Sequence, residues 1–291
     1  MSSRRVFLQQ AGLLAAGLLI KPDFSFGKSL PKKVGLQLYT LRSELAKDVK
    51  GTIAKVAQIG FGEVETFGYS KENGFWGLDP AAFKKLMKDN NLVSPSGHYS
   101  FNQLINEGKE DELKNNIEAA KGIGQKYLTV PYLDASQRGG QDVYKKLAEK
   151  LNRAGELAKK SGLQLTYHNH DFEFQEHDGV TGYDILLKET DPSLLKFELD
   201  LFWAVKAGKD PVKMFEKHPG RFVMWHVKDM EKDEPKMFTE VGSGVINFKE
   251  IFAKADVAGV KHVFVEQDQI KNKEPFESIR QSCEYVKKNL L

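Results

Sequence analysis

After residue 30 the chain repeats one unit eight times: a short apolar run, a turn, an amphipathic stretch and, in most units, a glycine near its end. The apolar runs are Val34–Tyr39, Glu63–Phe67, Leu92–His98, Tyr127–Pro131, Leu163–His168, Leu195–Asp200, Phe222–Val227 and Val263–Glu266. Between them, spacings such as Leu45, Val49, Ile53, Val56 and Tyr144, Leu147, Leu151, Leu157 place apolar residues on one face of a helix. Asp79-Pro80 and Asp210-Pro211 read as an N-cap followed by the first helical residue. Gly60, Gly124, Gly162, Gly220 and Gly259 stand where helices hand over to strands.

Eight alternating units within about 260 residues match the size of a closed parallel barrel. An open doubly wound sheet would carry a glycine-rich phosphate turn after its first strand, and Leu36-Gln37-Leu38-Tyr39-Thr40 has none. No linker or low-complexity tract interrupts the repeat. The expectation is therefore an α/β chain whose residues 28–291 form one (β/α)8 TIM barrel.

The first 27 residues read differently. Ser3-Arg4-Arg5-Val6-Phe7-Leu8-Gln9 precedes an apolar stretch, Ala11–Ile20, too short for a stable membrane anchor. The pattern resembles a twin-arginine export signal, cleaved near Ser25-Phe26-Gly27, and predicts a periplasmic destination. The formal net charge of the whole chain is +3; residues 1–27 carry Arg4, Arg5 and Lys21 against Asp23, so the remainder carries +1. Such a chain has no basic track for a nucleic acid. Its single cysteine, Cys283, excludes an internal disulfide and any cysteine-rich zinc site.

Chemistry concentrates at the ends of the last four runs. These finish in Tyr167-His168-Asn169-His170, Phe197-Glu198-Leu199-Asp200, Trp225-His226-Val227-Lys228-Asp229 and Val265-Glu266-Gln267-Asp268. Strand interiors of a parallel barrel are buried, so ionisable groups there must be paired, bound to metal or facing the mouth. Neighbours along a strand point to opposite sides, so His168 shares a direction with His170, Glu198 with Asp200, His226 with Lys228, and Glu266 with Asp268. One residue from each strand gives His168, Asp200, His226 and Glu266. Burying such a set together without a cation would cost several kcal/mol per ion. Its mixed nitrogen and oxygen donors suit Mn²⁺, Zn²⁺, Co²⁺ or Fe²⁺.

These strand ends, together with Val241-Gly242-Ser243-Gly244-Val245-Ile246-Asn247-Phe248, resemble the sugar phosphate isomerase/epimerase family, the xylose-isomerase-like barrels. The likeness runs along the chain after residue 31 and is strongest from Tyr167 to Asp268. It implies one divalent metal held by His168, Asp200, His226 and Glu266. Two positions depart from the family pattern: His168 stands where epimerases carry Glu, and Trp203 where members carry His. The pair of carboxylates that would flank a substrate is therefore incomplete. In the glycine turn, Asn247 is also expected to cap the next helix.

A metal chelating two neighbouring sugar oxygens would acidify the adjacent C–H bond. Glu266 is the candidate base and Lys228 the candidate partner for developing negative charge. Glu173 is expected to orient a ligand or supply the second base, unless it is a solvent-facing loop residue. Glu65, His98, His170 and Trp203 are expected substrate contacts. The reaction expected is isomerisation or epimerisation of a non-phosphorylated sugar, keto-sugar or glycoside, with elimination by a lyase or dehydratase as the alternative outcome of the same first step. A silent sugar-binding protein is the rival from another class. A metal-dependent endonuclease of related fold is disfavoured by the near-neutral charge. No stable membrane anchor is expected, and an oligomer is compatible with the sequence.

Overall fold

The computed structural model describes residues 30–271 and 273–291. The segment read as an export signal lies outside the described residues.

Eight parallel strands close into a barrel: β1 (Gly35–Gln37), β2 (Glu63–Thr66), β3 (Val93–His98), β4 (Tyr127–Val130), β5 (Gln164–His168), β6 (Leu195–Asp200), β7 (Phe222–Val227) and β8 (His262–Val265). Each pairs with its neighbour in sequence, and β8 pairs with β1. All eight runs of the repeat become strands. The first is shorter than its apolar run because Leu38–Leu41 turns into a 3-10 helix, where the Gln37 side chain accepts the Tyr39 N–H at 3.0 Å. Among the described residues no helix is long and apolar enough to cross a membrane.

Alternation along the strands separates two environments. Outward residues such as Val64, Leu128, Leu165, Phe197, Leu199, Trp225 and Val263 are fully buried against the helices in one apolar shell. Burying each large apolar side chain stabilises the fold by roughly 1.5–3 kcal/mol. The inward positions are largely polar: Gln37 Nε2 donates to Glu65 at 2.7 Å, and the hydroxyls of Ser96, Thr129 and Thr166 form a ladder at 3.0 and 2.7 Å. Met224 and Phe264 close the floor with Tyr127. Gly35 leaves room for that floor, since a Cβ there would stand 2.4 Å from Phe264 Cδ1.

The predicted punctuation forms as read. Asp79 accepts the Ala82 N–H and Asp210 those of Val212 and Lys213. Gly60, Gly124, Gly162, Gly220 and Gly259 all take left-handed φ. Two short antiparallel pairs, Glu176–His177 with Val180–Thr181 and Asp229–Met230 with Phe238–Thr239, are additions that the repeat did not announce.

Candidate metal centre and active site

Register sets the height of the polar residues at the barrel mouth. His168 pairs with Glu198 across β5–β6, and Asp200 with His226 across β6–β7. Glu266 follows β8 directly. One donor atom from each of His168, Asp200, His226 and Glu266 falls within 4.8 Å of all the others, with every residue buried. His226 Nδ1 lies 2.8 Å from Glu266 Oε2 and 4.0 Å from Asp200 Oδ2, and His168 Nε2 lies 3.9 Å from Asp200 Oδ2.

Asp200 shows why this set suits a cation. Its Oδ1 accepts the Trp203 N–H at 3.0 Å and so caps the helix that follows β6. Its Oδ2 is buried without a hydrogen-bond partner; Lys228 Nζ stands 3.0 Å away as an ion contact that lacks hydrogen-bond geometry. Burial raises the Asp200 carboxyl to about 6, with Lys228 offsetting part of that rise. A buried orphan oxygen among three other donors fits a divalent ion.

Behind both histidines stand carboxylates. Glu198 Oε2 lies 3.2 Å from His168 Nδ1, and Glu65 Oε2 lies 2.7 Å from His226 Nε2. Carboxylates in this position fix the orientation of a metal-ligating imidazole and raise its basicity. Burial first, then the neighbouring His226, lowers His168 to about 3, which keeps its ring neutral as a ligand requires. His226 moves the opposite way: burial alone would lower it, but Glu198 and Glu266 outweigh burial and hold it well above its usual value.

Glu198 is the residue that sequence reasoning passed over. Its Oε2 also meets His98 Nε2 at 2.7 Å and His226 Nε2 at 3.2 Å, forming a second donor group of His98, His168, Glu198 and His226 one layer deeper. The two groups use opposite nitrogens of His168 and His226. A neutral imidazole has a single lone pair, so neutral rings cannot serve both groups at once. Each group holds a buried oxygen without a hydrogen-bond partner, Asp200 Oδ2 in the outer and Glu198 Oε1 in the deeper, and the outer group reaches the cavity through both an imidazole and a carboxylate, His168 and Glu266. The alternation that selected Asp200 also turned Glu198 inward, and that was the available signal.

The other expected site residues divide. His98 and His170 line a cavity of about 640 Å³ at the mouth, together with His168, Lys228, Glu266 and Asp268. His170 stacks on Phe172 with a centroid separation of 5.7 Å. Burial, then His168, lowers its pKa well below the usual value. Glu65 is not among the residues lining the cavity: fully buried, it bonds Gln37 and His226. Trp203 is not among the lining residues either, but packs against His170 at 5.5 Å. Glu173 is fully buried, which corrects the solvent-facing alternative. Its carboxyl accepts the Tyr167 hydroxyl at 2.8 Å and the His170 N–H at 2.8 Å. It therefore braces the β5 loop from outside the donor group, because Tyr167 faces opposite to His168. Lys228 pairs with Asp200, Glu266 and Asp268 rather than with Asp229. Asp229 instead gathers the glycine turn, accepting N–H groups of Gly242, Gly244 and Ile246. Asn247 caps the next helix as expected.

Comparison with known proteins agrees with this architecture. The family model described as xylose isomerase-like TIM barrel matches residues 53–289. A crystal structure of a sugar phosphate isomerase/epimerase from Parabacteroides distasonis superposes with a TM-score of 0.79 at 30% identity, covering 90% of this chain and 96% of that one. An inosose dehydratase from Geobacillus thermodenitrificans is 31% identical over 184 residues, which are 56% of this chain and 60% of that protein. One from Bacillus anthracis is 27% identical over 240 residues, 69% and 78% respectively. The chain thus spans about three fifths of the length of the first of these curated relatives. An L-ribulose 3-epimerase shares the fold at 14% identity and a TM-score of 0.66. A closed eight-stranded parallel barrel, a family match across most of its length and a full-length structural counterpart at 30% identity lead to one conclusion: the chain belongs to the family of xylose isomerase-like TIM barrels.

Proposed function

We propose that this protein is a metal-dependent enzyme that abstracts a proton next to the carbonyl of a non-phosphorylated sugar or keto-sugar, and returns it to give an isomer or epimer. The observation that carries this reading is the buried group of four donors, which meets the cavity through His168 and Glu266 and has a carboxylate behind each imidazole. His168, Asp200, His226 and Glu266 would hold the ion, with Mn²⁺, Zn²⁺, Co²⁺ or Fe²⁺ suiting the donors. When bound, such an ion polarises the carbonyl and acidifies the neighbouring C–H bond.

The chain's own groups divide the remaining work. Burial would raise the Glu266 carboxyl, but Lys228 and His226 outweigh it and hold the group ionised, the form a base must have before it takes a proton. Lys228, charged and facing the cavity, donates to the oxygen where negative charge develops. His170 and His98 face the same space and hold hydroxyls in register. The lysine and arginine of the lining both have partners: Arg42 donates to the carbonyls of Tyr39 and Asp268, and Lys228 sits among three carboxylates. Asp134 and Asp268 add negative charge to the lining. With these carboxylates beside them, the two cations present little net positive charge to a phosphate dianion, which supports an uncharged substrate.

Loss of a hydroxyl from the next carbon, after the same proton abstraction, would make the enzyme a dehydratase. The similarity to inosose dehydratases favours keeping this second outcome. Incubating metal-loaded protein with keto-sugars in D₂O tests both. Deuterium uptake next to the carbonyl is expected, with the product distinguishing epimer from eneone. Sugar binding without exchange would mark a binding protein, and activity confined to sugar phosphates would overturn the substrate reading. The Arg4-Arg5 signature supports export in the folded state to the periplasm.

A further inference from the structure

Lys228 shares oxygens with the metal group. Its Nζ lies 3.0 Å from Asp200 Oδ2, 2.7 Å from Glu266 Oε2 and 3.0 Å from Asp268 Oδ1. The first two residues belong to the donor group, and Asp268 belongs to neither donor group. An ammonium and a divalent ion cannot both occupy contact positions on the same two oxygens without strong repulsion. The Lys228 side chain is only 1% exposed, so it cannot escape into water. Asp268 is the one carboxylate of the three that a metal would leave free. It is itself anchored: Arg42 Nη2 donates to its backbone carbonyl at 2.8 Å, while the same guanidinium lies over the Tyr39 ring at 4.4 Å.

We propose that Asp268 is a positioning residue for the metal centre: it draws the Lys228 ammonium off Asp200 and Glu266, so that a divalent ion can take those oxygens. This inference rests on the assignment of His168, Asp200, His226 and Glu266 as the donor group. The ammonium then remains at the cavity wall, held by a group that does not ligate.

A double-mutant cycle on the full-length mature protein, stripped with chelator and titrated with Mn²⁺ by calorimetry, tests it. Asp268→Asn should weaken Mn²⁺ binding about tenfold, within the range for groups that orient ligands. Lys228→Met should bind Mn²⁺ more tightly than wild type, because the competing ammonium is gone. In the Lys228→Met background, Asp268→Asn should then have almost no effect. Equal weakening in both backgrounds would mean that Asp268 acts only through its charge, and would overturn the proposal, as would unchanged binding in the single Asp268→Asn variant. Failure of wild type to bind Mn²⁺ or any other divalent ion would instead remove the donor group itself. Circular dichroism melts check folding, and Lys228→Gln replaces the methionine variant if that one does not fold.

Discussion

Glu65 offers a demanding test because it does not line the cavity yet touches His226, a proposed metal ligand. Its Oε2 sits 2.7 Å from His226 Nε2 and also accepts from Gln37 Nε2 at 2.7 Å. Glu65→Gln keeps the volume but leaves one amide oxygen to serve both donors, and it removes the negative charge that makes His226 a better ligand. Glu65→Ala leaves His226 Nε2 with only Glu198 Oε2, at 3.2 Å, and opens a hole in the barrel interior. Carboxylates behind metal-bound histidines contribute about 10–100-fold in metal affinity, so the glutamine variant should lose about tenfold and the alanine variant about 100-fold. These losses correspond to about 1.4 and 2.7 kcal/mol of binding free energy. Competition with a chelating dye at fixed pH measures them. Wild-type affinity in folded Glu65→Ala would refute the idea that the second carboxylate layer organises the centre.

Three further outcomes follow from particular contacts. Burial raises the Glu173 carboxyl from 4.5 to about 8, so between those values the folded chain holds a proton that the unfolded chain lacks. The contribution of this site is greatest below the unfolded value and falls by on the order of 4 kcal/mol as pH rises to 8; in urea unfolding, Glu173→Gln should therefore gain on wild type from pH 5 to pH 8, and parallel profiles would contradict the assignment. Gly35→Ala drives a Cβ against the Phe264 ring and should cost about 1–3 kcal/mol in the same assay, with an unchanged midpoint counting against the packing of the floor. Replacing Arg4 and Arg5 together by Lys should leave the precursor in the cytoplasm on cell fractionation, and normal periplasmic recovery would reject the twin-arginine reading.

Much of this architecture is legible in the sequence because a parallel barrel repeats its demands. Each strand must be short and apolar, each helix needs a stop, and the period exposes both. The donor group is legible for the same reason: the two-residue alternation of a strand turned His168, Asp200, His226 and Glu266 to one side, and adjacent strands brought them together. Depth was harder to read. Glu65 and Glu198 obey the same alternation but lie one layer lower, where they meet the imidazoles of His98, His168 and His226, and strand stagger is set by pairing that one strand does not reveal. The solvent-facing alternative for Glu173 fails because its partner is Tyr167, which faces the helices, so that a loop carboxylate folds back into the apolar shell. Trp203 follows Asp200 by three residues, and a helical turn carries it beside His170 rather than into the cavity.

The most direct measurement is the metal content of the purified protein. After equilibration with Mn²⁺, Zn²⁺, Co²⁺ or Fe²⁺ and removal of excess ion, elemental analysis should find about one tightly held ion per chain. Folded Asp200→Ala, lacking the orphan oxygen, should hold almost none. A wild-type chain that retains no ion from this series, or an Asp200→Ala chain that retains it as firmly, would contradict the account of the barrel mouth.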